Sequence, residues 1–300
     1  MTAIIAIENK NILDKVIVDD SIKDSYGSGI YISVGEEISL KDLLYGLMLR
    51  SGNDAAKMIA TYVAGSEEEF IKLMNKKALE LGMHKTTFYN ASGLDNTGKG
   101  NISTAYDMAL LTRYAMKNEI YREIVKTKKH VAKSNIKTYV WHNKNKMLQY
   151  DYVTGGKTGY TEKAKRTLVS TASKDNINLV VVTIRDSDDW NTHKSLFEGV
   201  FNNYKSYLVV NKKNFSVVGD TYYDYLYVEN DVRLTLKKEE TKALVSHIKL
   251  EKIKNYHDGD KVGTNYIYLG NILMGQEDIY VKKKDKESSS LIKKIKDWFK

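Results

Sequence analysis

Two short motifs, about a hundred residues apart, carry the side chains best suited to chemistry. Ser51-Gly52-Asn53 offers a hydroxyl and a carboxamide directly after a leucine-rich stretch. Lys157-Thr158-Gly159 adds an ammonium group and a second hydroxyl, and it is flanked by Gly155-Gly156 and Tyr160-Thr161. Acyl transfer needs a deprotonated nucleophile, donors for the developing oxyanion and a cationic anchor for a substrate carboxylate. The motifs hold groups of the last two kinds, although either one alone is more often an ordinary turn or hairpin edge.

The segments around the first motif are predicted to be helical. Ser39-Leu40-Lys41-Asp42 has the signature of a helix capping box, and apolar residues follow at helical spacing through Met48. This buried helix should deliver Ser51 at its end, and another apolar helix should cover residues 54–63 before Gly65 stops it. Further helix starts are predicted at Ser66, Ser103 and Asp189, and residues 2–7 look like the middle of a buried helix that lacks a capping residue.

The second motif precedes two predicted strands, at residues 166–171 and 178–184, joined by a polar turn. The second strand is apolar on both faces. We therefore expect it to lie in the middle of a sheet that helices cover.

The chain changes character after about residue 204, where short β-type runs alternate with Asn, Asp and Gly turns. The runs at 207–210, 215–218, 223–228, 232–236, 245–250, 266–269 and 279–281 predict a small β-sandwich over residues 204–281. Residues 282–300 begin with a polar linker and end in an amphipathic helix. That helix has Leu291, Ile292, Ile295, Trp298 and Phe299 on its apolar face. Its pattern fits an interfacial membrane helix, and it equally fits a helix that packs on the protein or frays.

Composition narrows the functional classes. The chain has 300 residues, of which 42% are hydrophobic, and this suits one large domain and one small one. It contains no cysteine, and its 6 histidines show no metal-ligand spacing, so we expect neither a metal nor another cofactor. The formal net charge of +9 favours anionic surfaces such as cell-wall polymers, acidic lipids or nucleic acid. No apolar run is long enough to span a membrane, and the first residues lack a signal-peptide pattern.

Four stretches together resemble the D-alanyl-D-alanine carboxypeptidases, which are low-molecular-weight penicillin-binding proteins. They are residues 45–56, which include Ser51, residues 90–95 (Asn-Ala-Ser-Gly-Leu-Asp), residues 156–161, which include Lys157, and residues 188–191 (Asp-Asp-Trp-Asn). The resemblance covers most of residues 1–203. It implies an α/β (α+β) fold, with a β-lactamase/transpeptidase-like domain of antiparallel sheet and helical cluster, followed by a small all-β domain.

The resemblance also implies roles for the motif residues. Ser51 would relay a proton to the leaving amine, and Asn53 would hydrogen-bond the substrate amide. Lys157 would place positive charge near the D-Ala carboxylate, and the Thr158 hydroxyl would bind that carboxylate directly. The Gly159-Tyr160 backbone would let the substrate lie against the strand edge, with the Tyr160 N–H as one oxyanion donor.

The family's Ser-x-x-Lys motif, which supplies the nucleophile, is missing ahead of Ser51. Residues 1–4 look like the continuation of the helix that begins with this motif, so we expect an N-terminally truncated chain that is inactive on its own. The Ser-x-x-Lys matches that begin at Ser134, Ser246 and Ser290 are interpreted as accidental. Lys165 stands where the family usually has glycine, which leaves the local strand geometry open.

The expected function is that of a serine-type carboxypeptidase acting on peptidoglycan pentapeptides that end in D-Ala-D-Ala. Its parent would be extracytoplasmic, membrane-associated and able to bind β-lactams. A second hypothesis is a non-catalytic protein that holds peptidoglycan or a partner. A nucleic-acid binder, suggested by charge alone, has no motif to support it. Because the family's first strands would pair with residues 178–184, we expect an unpaired apolar edge and poor solubility.

Overall fold

The computed structural model describes residues 1–95 and 100–283. The chain divides into two compact units, Met1–Val200 and Phe201–Lys300, and each unit has its own hydrophobic core. The amphipathic segment predicted at residues 291–300 lies outside the described residues. Within the described ranges, no helix has both the length and the apolar character required to cross a bilayer.

Helices and antiparallel strands alternate in irregular order in the first unit. Its helices are α1 (Thr2–Asn9), α2 (Leu40–Arg50), α3 (Asn53–Ala64), α4 (Glu67–Glu80), α5 (Ala105–Ala115), α6 (Glu119–Lys126) and most of α7 (Asp189–Asn203), whose last residues belong to the second unit. Its strands are β1 (Lys15–Ile17), β2 (Glu37–Ser39), β3 (Lys129–Lys133), β4 (Thr138–His142), β5 (Val153–Thr161), β6 (Lys165–Lys174) and β7 (Ile177–Ile184).

Local capping explains where several helices begin. The side chains of Ser39, Ser66, Thr104 and Asn118 each accept a hydrogen bond from the backbone N–H three residues further on. Each bond satisfies a donor that the helix itself cannot satisfy. Helix α1 begins at Thr2, and its N-cap residue Met1 provides no side-chain cap, as the sequence predicts.

The α2–α3 junction, which carries the first motif, is held by a dense apolar core. Helices α2 and α3 pack against each other, and α1 packs against both. Leu43, Leu44, Leu49 and Ile59 are fully buried there. Burying one such side chain contributes about 1.5–3 kcal/mol, so apolar burial holds the two helices together at this platform.

Strands β5, β6 and β7 form an antiparallel sheet in that order. Lys157 on β5 pairs with Val169 on β6. On one face, His193 of α7 hydrogen-bonds Ser170 of β6, while the next residue along β6, Thr171, contacts Met116. Because successive strand residues point to opposite faces, helical segments cover both sides of the sheet.

The position of β7 corrects the expectation that this strand lies mid-sheet. Among the described residues β7 pairs only with β6, and most of its side chains are half-buried. Its apolar pattern reflects helices above and below the sheet, and such a pattern carries no information on how many strands lie beside it. Within residues 1–95 and 100–283, the outer edge of β7 has no partner strand, as the resemblance implies.

Helix α6 and strand β3 are elements that the sequence analysis did not predict. Asn118 caps α6, and Ile124 and Val125 are its buried residues. With 8 residues, the helix offers too few turns for an unambiguous periodic signal. Strand β3 pairs with β4 in a hairpin, and the chain leaves β4 toward the second motif.

The second unit is a small all-β domain, as predicted. It contains β8 (Lys205–Val210), β9 (Tyr225–Val228), β10 (Val232–Leu236), β11 (Leu244–Leu250), β12 (Lys261–Leu269) and β13 (Ile272–Lys282). One sheet has the order β10-β8 and the other the order β11-β12-β13-β9. The prediction of a strand at residues 215–218 is wrong. This segment pairs with no strand among the described residues, and Val218 is 98% exposed.

Candidate active site

Ser51 occupies the turn between α2 and α3. It follows the last residue of α2 with φ 61° and ψ 41°, in the left-handed region. The Ser51 N–H still donates to the Leu47 carbonyl at 3.0 Å, and the Gly52 N–H donates to the Gly46 carbonyl at 3.3 Å. A non-glycine residue in this region carries a conformational cost, and such residues are frequent at functional sites.

Lys157 on β5 reaches this turn across 106 positions of sequence. Its Nζ lies 2.5 Å from the Ser51 Oγ and 2.7 Å from the Thr158 carbonyl oxygen. Burial, and secondarily the charge of Lys144, lowers the pKa of Lys157 to about 8. The structure thus brings the two motifs into direct contact and makes the ammonium group easier to deprotonate than an ordinary lysine.

Asn53, the first residue of α3, is buried and held by the preceding loop. Its Nδ2 donates to the Tyr26 carbonyl at 2.7 Å, and its backbone N–H donates to the Ser28 carbonyl at 2.8 Å. Since the Nδ2 end faces the loop, the Oδ1 end is left to accept a hydrogen bond from elsewhere.

The remaining predicted residues follow Lys157 along β5. Thr158 is half-buried, whereas Gly159 is exposed and Tyr160 is 59% exposed. A Cβ at Gly159 would overlap the Thr167 hydroxyl on β6, so a larger residue there would force the Thr167 side chain to move. The Tyr160 hydroxyl turns away to Glu162 at 3.2 Å.

Asp54 is a residue whose role the sequence analysis missed. Its buried carboxylate accepts hydrogen bonds from the backbone N–H groups of Ile30 at 3.0 Å, Tyr31 at 2.7 Å and Ala55 at 2.8 Å. The loop that carries Tyr26 and Ser28 is thereby fastened to the N-terminus of α3. The only sequence signal was an acidic residue in the first helical turn, which is also what ordinary helix capping favours.

Lys144 is the second residue that the analysis missed. Its backbone N–H donates to the Leu49 carbonyl at 3.1 Å, and its Nζ donates to the Ser28 Oγ at 3.2 Å. Burial and the nearby Arg50 charge lower the pKa of Lys144. Neighbouring Asn143 donates from Nδ2 to the Thr127 carbonyl at 2.9 Å.

Where they are described, the serines of the accidental Ser-x-x-Lys matches belong to other elements than the α2–α3 turn. Ser134 sits in the β3–β4 turn and accepts the Lys137 N–H at 3.1 Å, and Ser246 lies on β11 of the second unit. Ser290 lies outside the described residues. Lys165, which replaces the usual glycine, adopts φ 59° and so keeps the glycine-like conformation.

Known protein families match two parts of the chain. Residues 1–188 match the family described as D-alanyl-D-alanine carboxypeptidase, and residues 210–287 match the C-terminal domain of penicillin-binding protein 5. The chain is 40% identical over 171 residues to D-alanyl-D-alanine carboxypeptidase DacF of Bacillus subtilis, covering 56% of this chain and 43% of that protein. It is 34% identical over 190 residues to DacC of Escherichia coli, covering 59% and 46%.

Solved structures give the same result for the fold. Penicillin-binding protein 5 from Haemophilus influenzae aligns with a TM-score of 0.76 at 21% identity, covering 94% of this chain and 87% of that one. A D-alanyl-D-alanine carboxypeptidase from Mycobacterium tuberculosis aligns with a TM-score of 0.64 at 29% identity, covering 67% and 78%. The chain spans about half the length of the curated relatives DacF and DacC. The match over residues 1–188 places this chain in the D-alanyl-D-alanine carboxypeptidase family.

Proposed function

We propose that this protein serves a serine-type D-Ala-D-Ala carboxypeptidase reaction on peptidoglycan stem peptides, in cell-wall biogenesis outside the cytoplasm. The observation that carries the proposal is the 2.5 Å contact between Lys157 Nζ and Ser51 Oγ. It joins the edge strand β5 to the α2–α3 turn and so forms one site from two distant motifs.

The substrate's terminal carboxylate would bind at β5. The Lys157 ammonium supplies the positive charge, and the Thr158 hydroxyl supplies a directed donor on the next residue. A charge-assisted hydrogen bond of this kind is worth about 1.5–3 kcal/mol. Gly159 leaves the strand open at that point, and the Tyr160 N–H would donate to the oxyanion as the scissile carbonyl is attacked.

The proton path would run through Ser51. The pKa of about 8 for Lys157 lets its ammonium share a proton with the Ser51 hydroxyl near neutral pH. Ser51 could then pass a proton to the leaving D-Ala amine. Asn53, whose amide is oriented by the Tyr26 carbonyl, would accept the substrate N–H through Oδ1.

The nucleophile of the proposed reaction is the component that the two motifs do not supply. No Ser-x-x-Lys occurs ahead of Ser51, so we propose that a polypeptide of this sequence alone binds the peptide without forming an acyl ester. The same observation favours the second candidate function, a non-catalytic protein that holds peptidoglycan. Covalent labelling of the purified chain by a fluorescent penicillin would contradict both statements.

Binding can be tested with one peptide and its altered ends. Calorimetry with diacetyl-L-Lys-D-Ala-D-Ala should give measurable affinity, and the peptide with a C-terminal amide should bind at least about tenfold more weakly. Lys157→Gln should lose the preference for the free carboxylate, and Lys146→Gln, at an exposed position two residues beyond Lys144, should keep it. Equal affinity for the acid and the amide would overturn the proposal.

The segment at residues 291–300 is proposed to hold the protein at a lipid surface. The support is its sequence pattern alone, with aromatic and aliphatic residues on one helical face and lysines on the other. After sedimentation with vesicles containing about one-third anionic lipid, the full chain should be found in the vesicle pellet. A chain that ends at residue 283 should stay in the supernatant. Equal retention of both chains would contradict this role.

A further inference from the structure

The segment at residues 124–150 carries positive charge that the proposed reaction does not use. It contains no aspartate or glutamate, and its lysines are Lys126, Lys128, Lys129, Lys133, Lys137, Lys144 and Lys146. Two of these lysines are engaged with neighbouring loops, since Lys137 Nζ donates to the Tyr31 carbonyl at 2.7 Å and Lys144 Nζ to the Ser28 Oγ at 3.2 Å. The first four lie on strand β3 or directly before it, and all four are exposed.

One face of the β3–β4 hairpin is fixed against the helical cluster. The ring of His130 stacks on that of Tyr45, with centroids 3.7 Å apart, and its Nε2 lies 2.7 Å from the Asp42 carboxylate. The other inward side chains belong to the hydrophobic core, and they are Ala132, Tyr139 and Trp141. An isolated two-stranded hairpin is marginally stable in water, so this packing fixes the position of the opposite, outward face.

The outward face of the hairpin combines aliphatic and cationic side chains. Val131 of β3 pairs with Val140 of β4, and the two valines are 51% and 52% exposed. Lys129 and Lys133 lie two residues before and two residues after Val131 on the same strand. Because alternate strand residues share a face, the two lysines flank the valine pair at a separation of about 13 Å along β3.

The charge of this face is not neutralised by carboxylates in the described ranges. The lysines without an ion pair there include Lys126, Lys128, Lys129 and Lys133. Two acidic groups that contact the hairpin are used on its inner face, where Asp42 meets His130 and Glu36 accepts the Tyr139 hydroxyl at 2.7 Å. The outward face therefore presents a row of uncompensated positive charge, which attracts an anionic partner.

The residue types on the two faces discriminate among anionic partners. A bilayer interface is typically contacted by exposed Trp and Tyr, and single-stranded nucleic acid by aromatic side chains on which bases stack. The hairpin has both residue types, yet Tyr139 and Trp141 are buried on its inner face. A lysine ammonium group is a point charge that binds phosphate without the planar geometry that arginine imposes. Charge and small aliphatic surface together favour a flexible polymer with regularly spaced phosphates.

We propose that the outward face of the β3–β4 hairpin, with Lys126 and Lys128 beside it, binds a phosphodiester-linked polyol polymer of the cell envelope. The phosphates would lie on the lysines along β3, and the Val131–Val140 pair would pack against the carbon atoms of the polyol between them. The location of the partner rests on the proposed function, whereas its chemistry rests on this face. The hairpin would thereby hold the protein on an anionic wall polymer through residues outside the candidate active site.

The test is fluorescence anisotropy of a labelled poly(glycerol phosphate) of about twelve units with the full chain. The logarithm of the binding constant should fall with the logarithm of salt concentration with a slope of about −0.7 per lysine, hence about −3 for four lysines. Joint replacement Lys129→Gln and Lys133→Gln should weaken binding about five- to tenfold at low salt and reduce the slope by about half. Unchanged affinity and slope in this variant would overturn the proposal.

A matched control separates the hairpin from net charge. Joint replacement Lys76→Gln and Lys174→Gln removes the same charge at exposed positions on α4 and β6. It should leave the affinity within about twofold and the slope unchanged, because both positions lie outside the hairpin. Equal weakening in the two double variants would overturn the proposal, since net charge alone would then explain the binding.

Two other probes distinguish the sources of phosphate. An oligothymidylate with the same number of phosphates should bind no more tightly than the polymer, and about tenfold tighter binding would overturn the proposal in favour of nucleic acid. Vesicles containing about one-third anionic lipid should retain the Lys129→Gln, Lys133→Gln chain as well as the unchanged chain. Loss of vesicle binding with full polymer binding would assign the face to lipid instead. Each of these outcomes leaves the proposed function intact, since that function is tested by the D-Ala-D-Ala peptide.

Discussion

Replacing Ser51 by glycine and by alanine separates the conformational cost of the site from its chemistry. Both changes remove the hydroxyl that Lys157 contacts at 2.5 Å, so that loss cancels when the two variants are compared. Position 51 has φ 61° and ψ 41°. A side chain with Cβ costs about 1–2 kcal/mol in this region, whereas glycine adopts it freely.

The expected difference in stability between the two variants follows from the strain at position 51 and from the freedom of glycine in the unfolded chain. Glycine gains the released strain and loses about 0.5–1 kcal/mol through its larger freedom in the unfolded chain. Ser51→Gly should therefore be more stable than Ser51→Ala by about 0.5–1 kcal/mol. For a unit of about 200 residues that corresponds to a rise in Tm of about 1–4 °C.

Circular dichroism melts at one fixed scan rate measure this difference, since irreversible unfolding makes Tm depend on the rate. Both variants should also bind diacetyl-L-Lys-D-Ala-D-Ala more weakly than the unchanged chain. A glycine variant that melts at or below the alanine variant would refute the strained geometry at Ser51. Unchanged peptide affinity in both variants would refute the role of its hydroxyl.

Three further predictions test the sheet and the site. His193 is fully buried and bonded to Ser170, and burial lowers its pKa from 6.5 to about 4. The unfolded chain therefore takes up the proton first, so stability should fall by about 3 kcal/mol as pH drops from about 6.5 to 4. Urea unfolding across this range should show the fall, and His193→Gln should flatten it; an unchanged slope in the variant would contradict the assignment. Ile184→Lys changes a 42% exposed position on the edge strand β7, and it should reduce the light scattering from aggregates that form when the protein is concentrated. Leu79→Lys changes a 69% exposed helical position and should leave that scattering unchanged. Equal effects of the two lysines would point to net charge alone. Thr158→Val should weaken binding of the free-acid peptide about tenfold in calorimetry with an unchanged melt, and full affinity would remove the hydroxyl from the carboxylate subsite.

Much of the fold follows from interactions between residues close together in sequence. The cap at Ser39, the leucine spacing of α2 and the glycine that ends α3 are read directly, because each depends on groups within one or two helical turns. The two hairpin strands after Lys157 are also evident from their apolar runs and polar turn. The 8-residue helix α6 was not predicted, because its periodic apolar pattern is too short.

Strand neighbours and strand existence were less predictable where they depend on distant partners. Residues 178–184 looked like a central strand because both faces are apolar, yet among the described residues β7 has a partner on one side. Residues 215–218 alternate like a strand and have none. Apolar patterning reports what covers a face, and it contains no information about the backbone hydrogen bonds along an edge.

For the site, the nature of the chemistry could be inferred from residue types and motif order: Ser51, Asn53 and the Lys157-Thr158-Gly159 strand suffice to suggest it. The tertiary structure decided which groups meet. It placed the Lys157 amine on a hydroxyl 106 positions away, added Lys144 beside Ser28, and gave Asp54 the task of fastening the loop. Side-chain types and short-range patterns are local properties, whereas distances, burial and the resulting pKa shifts exist only once the α2–α3 platform and the sheet have packed together.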